Sequence, residues 1–475
     1  MNKTLYKALM VSTLLASYAM AADKDSTGSK DLKTLKSKVA ALEKKVNAKE
    51  EKGKLFNFDS EKLKIGFDGE FQASKHFKQD TGKSFGTFVN TAKVTIQGRL
   101  APEWAYHFAV DFANEKISTK STDLNFNGTV LPNFEYVPDV SRGTSVKSAH
   151  IRFYGFNPVI IAVGRLFPDL SIDRGEMFLE SPAVSAIFPI NRNGAYIGTH
   201  GDNWYVSTTL THSGGTTTTS DDEESNLTWY RKVAFVPYKS GDKLLHVGGS
   251  WVSMIPKTSK FSTTDFNQRP ENTLGAILVG TGFIDNIRRS ETFMADVAYN
   301  HGPLLLSGEY ARAIVKRASL KSSKFDGWYA QASYTLTGES CTYDMASPSF
   351  SDITPNKPFD LANGNYGAFE ATYRYSTVNF GKSEYGGDLG AKLSFLPGVS
   401  SDGGVATLDG GKMMMHTLGI NWIPNTNLMF MLNYSFGKVK NSQVWGTFYQ
   451  GLNSAPEAKL SYSPKIIMFK AKVKV

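Results

Sequence analysis

The 475-residue chain holds a single cysteine, Cys341. It can form no internal disulfide, and its distance from the N-terminus excludes lipid attachment; the reading is an unpaired loop thiol without a role. Long hydrophobic runs are missing too, since no segment reaches the roughly eighteen apolar residues that a membrane-crossing helix needs. If the mature chain lies in a membrane, it must cross as a closed barrel of strands. Patterns for catalysis are equally scarce. The eight histidines, His76, His107, His150, His200, His212, His246, His301 and His416, lie apart, with no Gly-x-Ser-x-Gly elbow and no metal-ligand pair. Hydrolysis on a barrel would need a nucleophile beside a positioned histidine, so the chain reads as a non-enzyme that carries no cofactor or metal. The acidic run in Gly214 to Ser225, with Asp221, Asp222, Glu223 and Glu224, lacks the Gly-defined spacing of a calcium loop and reads as a solvated loop tip.

What is present begins with an export signal. Lys3 and Lys7 precede an apolar run from Ala8 to Ala16, and Ala19-Met20-Ala21 offers small residues for cleavage, so residues 1–21 read as a signal peptide. Residues 22–54 follow as a polar, Lys-rich segment in which Leu32, Leu35, Val39, Leu42 and Val46 are spaced three, four, three, four. That is a heptad seam, expected to form a short periplasmic coiled-coil helix when bundled with copies of itself, or else a solvated linker. By its own residues the seam leans towards a dimer. The formal net charge of +9 falls partly on these two segments, and residues 55–475 keep 41 basic against 38 acidic side chains. Any preference for anions must come from where charges sit, and nothing in this balance points to nucleic acid.

Residues 55–475 read as one all-β unit, a transmembrane antiparallel β-barrel. Trp328, Ala330, Ala332 and Tyr334 alternate with Tyr329, Gln331 and Ser333; Leu418, Ile420 and Trp422 alternate with Thr417, Gly419 and Asn421. The same period of two recurs at Leu63, Ile65 and Phe67 against Lys64 and Asp68, and at Trp104, Tyr106, Phe108 and Val110 against His107 and Asp111. Period two with an aromatic-rich apolar face is expected of strands that show one side to lipid and the other to a wet lumen. Long polar segments (Asn114 to Ser145, His212 to Asn226, Ser253 to Ser290, Gly338 to Asn365) are interleaved with tight turns such as Gly155 to Pro158 and Pro424 to Asn427, the rhythm of extracellular loops and periplasmic turns. From Arg165 to Arg192 the alternation stops. This polar, proline-punctuated stretch cannot face lipid, so it is expected to fold into the lumen as a constriction loop carrying Arg165, Arg174 and Arg192, or to lie outside.

The chain resembles the phosphate-selective porins, the porin O and porin P family of Gram-negative outer membranes. The resemblance is carried by Trp328 to Tyr334 with Leu336-Thr337-Gly338-Glu339, by Pro358-Phe359-Asp360-Leu361, by Gly367-Ala368-Phe369-Glu370, by Thr417 to Trp422 and by Leu432-Asn433-Tyr434, with weaker echoes at Asp111-Phe112-Ala113 and Val163-Gly164-Arg165. It implies sixteen strands, a homotrimer in a bilayer with lipopolysaccharide, and passive diffusion of small anions, with phosphate or pyrophosphate as candidate cargo, past lumenal Arg and Lys. The chain departs from the family in ending Phe469-Lys470-Ala471-Lys472-Val473-Lys474-Val475 rather than on an aromatic, and in matching the arginines of its irregular stretch with Asp169, Asp173, Glu176 and Glu180. Strand alternation puts Lys470, Lys472 and Lys474 on the lumen face, with Lys93, Arg99, Arg152 and Arg374. These are either an anion track or ordinary lumen residues paired with Glu70, Asp111, Glu309 and Glu370. The runner-up functions are a general, weakly selective diffusion pore and a surface adhesin on the same barrel.

Overall fold

A computed structural model of the chain describes residues 62–475 apart from 78–84, 127–128, 167, 169, 174–176, 189–192, 214–225, 257–263, 273–276, 285, 387–399 and 444–459, and describes the side chains of all of these but 114–143, 213, 264–265, 283 and 460. The expected signal peptide, the expected coiled coil, the acidic run, Arg174 and Arg192 lie outside the described residues.

Sixteen strands form the wall: β1 Lys64–His76, β2 Phe85–Ala101, β3 Trp104–Phe126, β4 Thr129–Phe156, β5 Val159–Arg165, β6 Asn193–His200, β7 Trp204–Ser213, β8 Asn226–Ser240, β9 Lys243–Pro256, β10 Ile287–His301, β11 Leu304–Arg317, β12 Ser323–Thr335, β13 Ala368–Asn379, β14 Lys412–Asn425, β15 Leu428–Ser442 and β16 Lys465–Lys474. Each pairs antiparallel with the next, and β16 returns to β1 from Asp68↔Lys474 to His76↔Ile466, so the sheet closes with no edge. An even strand number brings the first and last strands together antiparallel and puts both barrel termini at the end with the tight turns.

Packing is inverted relative to a soluble protein. Trp328 and Tyr334 on β12 are 41% and 49% exposed, whereas Tyr329 and Gln331 between them are 2% and 4% exposed. The same holds on β14, where Leu418 and Ile420 face out and Thr417 and Asn421 are buried. Apolar side chains cover the outer face because hydrocarbon surrounds it, and the polar set turns inward, where partners exist.

Two connections differ from the sequence reading. Asn114 to Ser145 is no irregular loop: β3 and β4 run on as a long hairpin paired as far as Phe126↔Thr129. Gly338 to Asn365 links β12 to β13, so it lies at the end of the barrel with the tight turns (Gly155 to Pro158, Pro424 to Asn427) and not among the long loops. Its polar composition misled, because strand parity and not composition decides the end on which a connection falls. This segment also buries Cys341, Phe350 and Ile353 against Met429, Met431 and Met468 of the wall.

If Ala330 faces hydrocarbon midway along β12, Ala330→Lys should lower barrel stability by about 2–4 kcal/mol, read by urea unfolding in lipid vesicles. An unchanged midpoint would mean that the faces of β12 are exchanged.

Candidate functional site

The stretch between β5 and β6 lies inside the wall. Irregular backbone carries N–H and C=O groups that hydrocarbon cannot satisfy, and here they meet inward side chains of the strands. The Ile172 N–H donates to Glu309 Oε1 at 2.5 Å and the Ser171 hydroxyl to Glu309 Oε2 at 2.9 Å. Asn421 donates to the Met177 carbonyl at 3.1 Å, Lys470 to the Leu179 carbonyl at 3.0 Å and Gln72 to Glu180 at 2.7 Å. Between these anchors the apolar side chains Ile172, Met177, Phe178, Ala183, Val184 and Ile187 are at most 2% exposed.

A second inward segment comes from the connection of β9 to β10. Its hairpin, Thr264–Gln268 with Val279–Ile284, packs Phe266, Leu278 and Val279 on Tyr230, Val252 and Val184. At its tip Glu271 accepts from Arg374 at 2.8 Å, from Thr417 at 2.9 Å and from the Ser376 hydroxyl, while Asn272 reaches His76 of β1. From the tight-turn end, Tyr343 of the β12–β13 segment approaches His246 Nδ1 at 2.6 Å, and His246 Nε2 lies 2.5 Å from Asp296. The three segments fill the lumen along β8 to β16 with a packed core and reach β1 at Gln72 and His76.

Charge remains open on the opposite wall. Three inward carboxylates of β1 and β3 are held by lysines: Asp68 by Lys93 at 2.7 Å, Asp111 by Lys147 at 3.3 Å, and Glu70 by Lys470 at 3.4 Å and Lys472 at 3.8 Å. Towards the tight-turn end the described inward side chains of β1 to β4 include no acid, and Glu103 stands in the turn between β2 and β3. A cavity of about 980 Å³ is lined there by Lys64, Gln97, Arg99, His107, Arg152 and Tyr154, with no carboxylate among its lining residues. The register sets Arg99 and Arg152 on either side of Ala105, about 10 Å apart across two strand spacings. Arg152 donates to His150 at 3.0 Å, His107 stacks on His150 at 5.1 Å, and Arg99 lies over the Tyr154 ring. The guanidiniums are thus oriented by neutral neighbours, leaving their charge uncompensated and exposed to water.

The expected track therefore divides. Lys93, Arg99 and Arg152 share one wall; Lys470, Lys472 and Lys474 stand beside it on β16, opposite Gln72, Glu70 and Asp68 of β1. Lys474 lies 3.9 Å from Asp352. Arg374 is inward but 1% exposed, bonded to Glu271 and the Glu180 carbonyl with Phe178 under its guanidinium at 4.3 Å; it clamps two inward segments together instead of lining a passage. Arg165 is a correction. The register aligns it with Val163 on the outer face, where it bonds Asn193 and borders a shallow groove with Leu210 and Leu227. The strand runs to Arg165 before the chain turns in, so alternation still governs that residue. Lys64, Lys147 and His107 were absent from the expected track, although Lys64 and His107 fall on the polar face of their strands by the same period of two. Among the described residues, no three His, Cys, Asp or Glu side chains are grouped to hold a metal ion.

Residues 62–445 match the family described as phosphate-selective porin O and P. Porin O of Pseudomonas aeruginosa is 24% identical over 362 residues, covering 68% of this chain and 76% of that protein. Among solved structures, OprB of Pseudomonas putida overlays with a TM-score of 0.50 at 8% identity, covering 88% of this chain and 95% of that one, a likeness of fold alone. An anion-selective porin from Comamonas acidovorans overlays with a TM-score of 0.47 at 12% identity, covering 87% of this chain and 99% of that one.

Arg374→Met should leave the Glu271 carboxylate buried without its cation, at a cost of about 3–5 kcal/mol. The expected result is a lower thermal midpoint with faster proteolysis in residues 264–284; an unchanged midpoint would remove Arg374 from its clamping role.

Proposed function

Because the chain belongs to the phosphate-selective porin O and P family, a barrel of the Gram-negative outer membrane, we propose that it is a passive channel for small anions, assembled as a homotrimer and surrounded on its outer leaflet by lipopolysaccharide. The observation that carries the reading is the carboxylate-free cavity bounded by Lys64, Arg99 and Arg152. A dehydrating anion regains part of its lost solvation from such donors, and the low-dielectric wall keeps their field from being screened. Upstream of the cavity, the described acids Asp68, Glu70 and Asp111 each have a lysine partner, which leaves the field of Lys64, Arg99 and Arg152 in excess beside them. No energy source or cofactor is needed for diffusion down a gradient.

Phosphate or pyrophosphate is the candidate cargo, since paired guanidiniums suit tetrahedral oxyanions. Catalysis has no support from the His246 cluster, because both ring nitrogens are taken by Asp296 and Tyr343 and a hydrolytic histidine needs a nucleophile on one of them. A general, weakly selective pore is the second reading, favoured by the pairing of Lys470 and Lys472 with Glu70.

The test is the reversal potential of the purified protein in a planar bilayer under a KCl gradient, then titration with phosphate. Anion preference with block by phosphate is expected, and Arg99→Glu with Arg152→Glu should abolish both, moving the potential towards zero or past it. A wild-type potential near zero without block would favour the weakly selective pore.

A further inference from the structure

The outer face carries charge where hydrocarbon should exclude it. On β8, Arg231 alternates with Val233 and Phe235, which are 58% and 47% exposed, and so points away from the lumen. Its guanidinium is held between two indoles, 3.6 Å from the Trp229 ring and 4.2 Å from the Trp251 ring. Beside it, Glu291 is buried on this outer face. It accepts from Trp251 Nε1 at 2.5 Å and from the Ser253 hydroxyl at 2.8 Å, and pairs with Arg289. Ser253 also accepts from Arg231 at 3.3 Å and from Arg289 at 3.4 Å. The cluster therefore joins two cations to one carboxylate and keeps a positive excess.

Depth decides what could meet that excess. Arg231 pairs with Trp251 and Tyr238, at the tight-turn end of the apolar band, pairs with Leu245, so a bulge leaves six paired positions between them. With usual strand rise and tilt this puts Arg231 about 15 Å above that end, in the upper half of a band about 25 Å tall. Neighbouring strands present more outward charge at their long-loop ends, Arg312 and Lys316 on β11 and Lys324 on β12 with Asp326 opposite Arg312, three cations to one acid, while lower positions on the same wall are Val247, Val297 and Leu306. A guanidinium has five donors, and those of Arg231 that Ser253 does not accept have no acceptor in hydrocarbon. The geometry matches an anion at the boundary between acyl chains and headgroups. Trp251, stacked on Phe293 at 5.9 Å, adds a flat apolar floor next to it.

We propose that Arg231, Arg289, Trp229 and Trp251 form a binding site on the outer wall for a phosphate of an outer-leaflet phosphorylated glycolipid, the lipid A part of lipopolysaccharide. The guanidiniums bind the phosphate by charge-assisted hydrogen bonds, and the indoles and Phe293 take the first methylenes of the acyl chains. The site rests on the outer-membrane placement of the barrel and is independent of what passes through the lumen.

The experiment uses the full folded barrel, freed of endogenous lipopolysaccharide in detergent, with bound lipid counted by native mass spectrometry. The probes are bis-phosphorylated lipid A, fully dephosphorylated lipid A and inorganic phosphate. Retention of the bis-phosphorylated lipid is expected, with about tenfold weaker binding both for the dephosphorylated lipid and for Arg231→Gln against the bis-phosphorylated one. Reversal potential and conductance of Arg231→Gln should equal those of the parent, which separates this site from the lumen reading. Equal binding of both lipids overturns the proposal, and so does displacement of lipid by inorganic phosphate. If Arg231→Gln alters the oligomeric state while lipid binding is unchanged, the face is a subunit contact and the proposal fails. Should that variant not assemble, the comparison of the two lipids on the parent barrel still decides.

Discussion

Hydrocarbon offers no partner to a backbone N–H or C=O, and the architecture follows from that single constraint. Strands can satisfy one another only if the sheet has no edge, so the register of β16 on β1 is the bond on which every other strand depends. Closure in turn assigns each side chain to lipid or lumen by parity. A lysine at an even position of β16 and an isoleucine at an odd one are thereby separated without any local preference of their own.

The same constraint explains the filled half of the lumen. Connections too irregular to lie against lipid enter the barrel, and their backbone is then satisfied by Glu309, Asn421 and Lys470 of the wall. Their apolar side chains find one another across the interior and build a core around Val184, Phe325 and Val378, residues that a wide empty pore would leave in water. Packing on one side leaves water and free charge on the other. The site is thus a by-product of asymmetry: among the described residues the inward segments are bonded to β1 and to strands from β9 to β16, and Arg99 and Arg152 of β2 and β4 stay exposed.

How far this could be read from the sequence depends on which rule governs a residue. Period two is local and robust, so the faces of β12 and β14, the inward course of Lys93, Arg99 and Arg152, and the inward turn of the stretch after Arg165 were all legible. Partners distant in sequence were not. Arg374 lies on the polar face by parity, yet its burial under Glu271 comes from a hairpin about a hundred residues earlier. Arg165 shows how a single residue of strand length decides between lipid and lumen. The end on which Gly338 to Asn365 lies depends on counting every strand before it, and the long β3–β4 hairpin is polar enough to resemble a loop. The outer cluster at Arg231 was also hidden, because a lone arginine within an apolar face reads as an exception until Trp229, Trp251 and Glu291 are seen around it.

The central claim is that solutes pass along the β2–β4 wall and the start of β1, and not through the packed half. In a Cys341→Ala background, single cysteines at Gln97 on the open wall and at Ser250, buried beneath Leu170, would be treated with a charged thiol reagent while current is recorded from one channel. The account predicts rapid modification and a stepwise loss of current for Gln97→Cys, with no reaction at Ser250→Cys. Equal rates and equal loss of current at both positions would contradict it, since the half described as packed would then be open to water.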